Sequence, residues 1–308
     1  PGTISQPLAT IGQAEDLTKP GDVVHIHEGI YREAVLFRNG GTESQPVTYQ
    51  AYDDGSGPAQ VTISGFKHIE PGIEGAGQWQ VHAGSIYKIQ LTPAYGLVPG
   101  ASTVLLDGTA QKIARWPNAP TPFNFNWEIM AQPEEAILNE DSEGPQLPFP
   151  GIFHTASYTD SELPFTHDNE WVGARIDMSP FDGIYQTSGL VTASSSESLT
   201  FRYRYLDTAA VSVANPYFLW NTLRALDQEG EYFFDIEGVS GPPYTLYLWP
   251  PAGKSPQDHT IEIRTQDISL NFFNSAHITT RNISIVGGGV FCPSQSEFIT
   301  MDRLHLRY

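Results

Sequence analysis

At 308 residues, with a formal charge of −19 and one cysteine, the chain can bury roughly 75% of the surface it would expose unfolded, and it needs no disulfide to fold. Its 16 basic residues against 35 acidic ones supply no stripe to neutralise phosphates, which argues against nucleic acid as a partner and tilts away from polyanionic substrates without excluding a local basic cleft. No run of about 18 apolar residues occurs, so no membrane span is expected, and Cys292 forms no internal bridge and is silent on redox compartment.

Gly, Pro, Ser, Thr and aromatics are abundant and long amphipathic stretches are missing, which predicts an all-β chain with little helix. The chain opens abruptly on Pro1-Gly2-Thr3, which reads as the middle of a turn. Residues 6 to 19 hold the one predicted helix, with Leu8, Ile11, Ala14 and Leu17 spaced three apart and Lys19-Pro20-Gly21 ending it. Such a helix would cap an open sheet end. Then comes a dense passage, Gly21 to Glu33, that packs a turn, a short strand and a second turn. Val24 and Ile26 fall on one strand face, His25 and His27 on the other. Val47, Tyr49 and Ala51 repeat the alternation, as do Val61 and Ile63, with turn-rich breaks at residues 39–42 and 53–57 between them. Short strands recurring between turns predict a solenoid, in which each coil shields its apolar face only by stacking on its neighbours.

From about 91 to 255 the short rhythm is lost. This stretch is rich in proline, carries the acidic run 139–143 and holds five of the six tryptophans. Strand-like pieces persist at Leu199–Tyr205 and Thr245–Trp249. The reading is a β-rich insertion between first coils (1–90) and further coils (256–308). In the last segment the repeat can be counted, since Ile278, Ile283 and Ile285 each find an aliphatic partner 21 residues on, at Ile299, Leu304 and Leu306. That is about one solenoid coil. Because a bare terminal coil would be an exposed edge, further coils or another chain are expected to cover the end at Tyr308.

The motifs Gly2-Thr3, Pro7-Leu8-Ala9-Thr10-Ile11, Pro20-Gly21-Asp22 and Gly29-Ile30-Tyr31-Arg32-Glu33 lie in the first 65 residues, which resemble the N-terminal segment of secreted right-handed parallel β-helix proteins of the pectate-lyase-like superfamily. A second group, residues 104–108, 114–118, 230–235 and 246–251, looks like the inserted β-rich module of β-helix glycoside hydrolases, among them β-xylosidase-like members. The resemblance implies an all-β right-handed parallel β-helix with a capping helix and an insertion. It implies a secreted or cell-surface protein acting on a polysaccharide or oligosaccharide. Catalytic carboxylates in such enzymes sit on later coils, which would lie beyond Tyr308, so no catalytic residue is carried over.

Glycoside hydrolysis needs two carboxylates about 5–9.5 Å apart, and acidic residues one or two coils apart would supply them at strand spacings of about 4.8 Å. In the countable repeat Asp302 aligns with Arg281, so no stacked acidic pair appears and Asp302 reads as a solvent-facing strand residue. For substrate binding the candidates are Arg115, Trp116, Trp127 and Trp171, set in polar, proline-rich loops where an indole can stack on a sugar. The competing reading is that these tryptophans plug an internal interface and that Arg115 anchors a loop. His154, His167, Asp168 and Glu170 form a titratable cluster in sequence, set against an ordinary polar loop. No metal motif, calcium loop, phosphate loop, dinucleotide fingerprint or nucleophile elbow is found, so neither metal nor cofactor is expected. Three functions remain open: a glycoside hydrolase, a polysaccharide lyase of the same fold, and a noncatalytic surface, fibre or adhesin protein.

Overall fold

The computed structural model describes residues 2–97, 102–122, 129–142, 152–179, 187–205, 211–238, 240–251 and 254–307. Strands dominate it, and the chain is all-β with one short α-helix and isolated 3-10 turns among the described residues. It divides into two compact units, unit 1 comprising 1–68 and 262–308 and unit 2 comprising 69–261. The boundaries expected at 90 and 255 both lie inside unit 2.

Unit 1 contains three ladders of parallel strands. The first joins Val23–Ile26 to Val47–Ala51, then to Ala276–Val286 through its first half, then to Glu297–Arg307. A second runs from Gly29–Tyr31 through Val61–Ser64 to the latter half of Ala276–Val286, and again on to Glu297–Arg307. The third sets Ile268–Asn271 between Val35–Leu36 and Gly289–Phe291. The chain visits the ladders in the same order each time, leaving for unit 2 between Val61–Ser64 and Ile268–Asn271. Pairing follows the 21-residue offset, with Ile278 beside Ile299, Ile283 beside Leu304 and Ile285 beside Leu306.

Alternation in these strands dictates the packing. Val47, Tyr49, Ile278, Thr280, Ile283 and Ile285 face a core that also takes in Val35, Phe37, Leu270 and Phe272, while Gln50 and Arg281 stand on the other face in one column between His25 and Asp302. Aromatic rings also stack from strand to strand, Phe37 on Phe272 with centroids 4.6 Å apart and His277 on Phe298 at 4.6 Å. Ala276–Val286 serves two ladders because it bends at Asn282, whose φ of 56° is left-handed. Arg303, 21 residues on, repeats the bend with φ 55°. Asparagine tolerates that region better than most residues, which is why the corner can sit inside a strand.

The predicted helix shrinks to Ile11–Glu15. Thr10 caps it by accepting from Gln13 N, Glu33 accepts from the Ile11 and Gly12 amides, and buried Glu15 turns away to accept from Arg38 N and Asn39 N at 2.6 Å. Leu8 precedes the Thr10 cap and Leu17 follows the end of the helix at Glu15, so neither belongs to it, and of the four only Ile11 is buried.

Unit 2 is mainly antiparallel. One sheet orders seven strands as Arg115–Trp116, Tyr217–Trp220, Arg175–Met178, Thr187–Ser194, Ser198–Tyr205, Ile152–Thr159 and Glu135–Ser142. Another orders Lys112–Ile113, Glu231–Asp235, Thr245–Trp249, Ile86–Gln90 and Gln80–Ala83. The strand-like pieces read at 199–205 and 245–249 are strands in these sheets. A core rich in aromatics, including Tyr158, Trp171, Phe201, Tyr217, Phe233 and Tyr247, fills the unit.

Candidate functional site

The short strand Arg115–Trp116 ends the seven-stranded sheet and leads through a cis peptide into Pro117. Its register against Trp220 and Leu219 fixes where the two side chains go. Arg115 is 2% exposed; its Nε donates to Pro117 O at 3.0 Å and its guanidinium lies 4.7 Å from the Phe218 ring centroid. Burial is the main influence on it and lowers its pKa, while the Glu231 carboxylate opposes that. Arg115 therefore holds the turn together from inside.

Trp116 is half-buried and tilts against Trp171 at 6.3 Å and Tyr217 at 6.0 Å. Trp171, by contrast, is 1% exposed: its Nε1 donates to Pro164 O and Arg224 lies 5.2 Å from its ring. An indole with its faces and its N–H so occupied cannot stack on a sugar, which corrects the expectation for Trp171. The structure thus brings Arg115, Trp116 and Trp171 together, with only Trp116 partly open to solvent, and Trp127 lies outside the described residues.

Tyr217 links this aromatic group to a cleft of about 440 Å³ lined by Pro117, Met130, Gln132, Glu134, Asp160 and Glu162, among others. Asp160 is 3% exposed and accepts from Tyr217 Oη at 2.8 Å and from Glu162 N at 2.9 Å. Desolvation raises the Tyr217 phenol pKa, and the Asp160 carboxylate adds to it, so this phenol stays protonated and donating. Glu134 accepts from Ser161. Glu134 and Glu162 offer carboxylate acceptors to hydroxyl donors in this cleft, whereas buried Asp160 is spent on Tyr217 and the Glu162 amide. Sequence reasoning missed Asp160, Glu134 and Glu162, since nothing in their spacing tells that the strand pairing gathers them beside Pro117.

The titratable cluster does not assemble. His154 is buried in its strand against the Tyr203 ring at 5.2 Å, and exposed His167 contacts the neighbouring Asp168 carbonyl. Glu170 pairs with Arg224 at 2.7 Å and accepts from Thr166; burial raises its pKa, but those bonds outweigh it and the net shift is downward. These are loop-fixing bonds. In unit 1, Asp302 stands beside Arg281 as the repeat predicts, bonded to its Nε at 2.8 Å. Hydrogen bonding from Arg303 and then from Arg281 lowers its pKa, the reverse of what a proton-donating acid requires.

The opposite character belongs to two carboxyls of unit 2, Asp177, whose pKa burial raises, and Glu231. Glu231 is 0% exposed, and burial pushes its pKa up to about 7. Neither is among the residues lining the 440 Å³ cleft, so proton-donating capacity and accessible acceptors occupy different places. Among the described residues no group of three or more His, Cys, Asp or Glu side chains is placed to hold a metal ion, and no helix is long and apolar enough to cross a membrane.

No family model and no curated protein matches the sequence. Among solved structures, the fold is similar to that of a glycoside hydrolase, with a TM-score of 0.60 and 15% identity, over 93% of this chain and 48% of the other. A complex of XylC with xylose superposes with a TM-score of 0.45 and 15% identity, over 98% of this chain and 38% of that one. The chain spans less than half the length of either protein. At such identity the first likeness is one of fold.

Proposed function

We propose that this chain is part of a secreted or cell-surface protein acting on a polysaccharide or oligosaccharide, a glycoside hydrolase whose unit 1 is a right-handed parallel β-helix and whose unit 2 is a β-rich insertion. The observation that carries this reading is the fold shared with a glycoside hydrolase over 93% of the chain. The repeated order of parallel ladders and their 21-residue register support the β-helix. In the described ladders no acidic residue faces another, the nearest case being Asp302 opposite Arg281. The catalytic carboxylate pair is proposed on later coils of the solenoid, and this chain is proposed to contribute glycan contacts at Trp116 and the cleft beside Pro117.

The test is a panel of neutral and uronate-bearing glycans. Saturable binding of a neutral oligosaccharide by this chain, weakened at least several-fold by Trp116→Ala, is the expected result. Reducing ends released without the ultraviolet absorbance of an unsaturated product would add hydrolysis. That absorbance would replace hydrolase by lyase. No binding to any glycan, with ordered polymers under the electron microscope, would overturn both in favour of a structural protein.

A further inference from the structure

Glu231 begins the strand Glu231–Asp235 and is wholly buried. Its Oε1 accepts from Gln228 Nε2 at 2.9 Å, whereas its Oε2 has no hydrogen-bond partner among the described residues. Every element packed against it adds or withholds charge. Lys112 is its neighbour in the parallel pair with Lys112–Ile113, and Trp249 is its neighbour across the antiparallel pair with Thr245–Trp249. Arg115, from Arg115–Trp116, senses its charge while donating from Nε to Pro117 O. From the segment just before the strand come Gln228 and Asp227, and Asp227 accepts from Asn118 Nδ2 at 2.9 Å. Two cations and one anion thus lie around a carboxyl whose second oxygen has no donor.

We infer that Glu231 is the latch of a proton-operated clasp in unit 2, in which the neutral carboxyl keeps the 227–231 segment closed on the 115–118 turn and loss of its proton opens that segment to water. The closed form is held by the Gln228 bond to Glu231 and by the Asn118 bond to Asp227. An anion at Oε2 would sit unsolvated in this place, and such burial is unfavourable unless the charge is paired or hydrated. Hydration requires the short segment to lift. Pairing requires Lys112 or an Arg115 Nη group to move onto Oε2, which neither reaches.

The direction follows from linkage. A carboxyl raised on folding from an ordinary 4.5 to about 7, chiefly by burial and against the Gln228 hydrogen bond, with the Asp227 charge adding and Lys112 and the Asp227 amide opposing, favours the closed form fully below 4.5. That contribution is lost as pH rises to about 7, with no further change above it.

Hydrogen exchange on the intact chain tests this. After correction for intrinsic rates, protection of the amides at 115–118 and 227–231 is expected to fall by at least about tenfold between pH 5 and pH 8.5, while strand Thr187–Ser194 keeps its protection. Glu231→Gln, uncharged at every pH, is expected to stay protected throughout. A flat profile in the wild-type chain, or the same fall in Glu231→Gln, overturns the clasp. Should Glu231→Gln fail to fold, Asn118→Ala decides: loss of the Asp227 bond lowers protection of 227–231 at pH 5 if the clasp exists, and leaves it unchanged if it does not.

Discussion

Both units are made of strands, yet they obey different rules of neighbourhood. In unit 1 a residue's partner is the residue at the equivalent place one repeat away, so Ile278 meets Ile299 on one side and Val47 on the other. In unit 2 most strands run antiparallel, and Arg175–Met178 lies between Thr187–Ser194 and Tyr217–Trp220 with no repeat in sequence to announce it. Stacking like on like forces periodicity on the first kind of chain. The second is free of it, because each antiparallel pair needs only complementary faces.

The largest expected effects compare the two cores. Trp171→Ala removes an indole enclosed in unit 2 and is expected to cost about 3–5 kcal/mol, while Ile278→Ala, in the shared core of unit 1, is expected to cost about 2–5 kcal/mol. Denaturant titration followed by tryptophan fluorescence and far-ultraviolet dichroism measures both. A cost under about 1 kcal/mol at Ile278 would mean that strand-to-strand contact does not hold unit 1 together.

A smaller effect probes the corner that lets one strand serve two ladders. Asn282→Val places a β-branched residue at a left-handed φ and is expected to cost about 1–2 kcal/mol. Asn282→Gly is expected to be nearly neutral by the same measurement. Equal tolerance of both would show that the bend does not depend on left-handed backbone. Smallest of all is Asp302→Asn, at an exposed pair between Arg281 and Arg303, which is expected to leave the denaturation midpoint unmoved at physiological salt. Loss of turnover on a glycan that the chain cleaves would instead return Asp302 to the catalytic candidates.

The same contrast explains what could be read from sequence. The alternation of Val47, Tyr49 and Ala51 and the 21-residue offset state the pairing of unit 1 directly, because one face must be apolar in every repeat. Two hundred and more residues separate Val35 from its partner Leu270, and no local pattern reveals that the chain returns to finish a ladder it left. The helix is shorter than the spacing of Leu8, Ile11, Ala14 and Leu17 suggests, because the Thr10 cap starts it late and it ends at Glu15, so that two of the four residues fall outside it. Of the residues singled out from their sequence context, Arg115 is buried as a turn anchor and Trp171 belongs to the core, Trp116 alone stays partly open to solvent, and Asp160 and Glu231 carry no local signal. Burial of a carboxylate depends on which strands close over it, and in unit 2 that is settled by partners far along the chain.

The parallel stacking of unit 1 is most directly measured with spin labels at Thr48→Cys and Thr300→Cys in a Cys292→Ser background. Thr48 pairs with Thr279, and Thr279 with Thr300, so the labelled backbones are two strand spacings apart, about 10 Å. Strong dipolar coupling is expected, with label separations of about 10–20 Å once side-chain reach is included. Labels more than about 30 Å apart would contradict the stacked register and remove the basis for the carbohydrate-active reading.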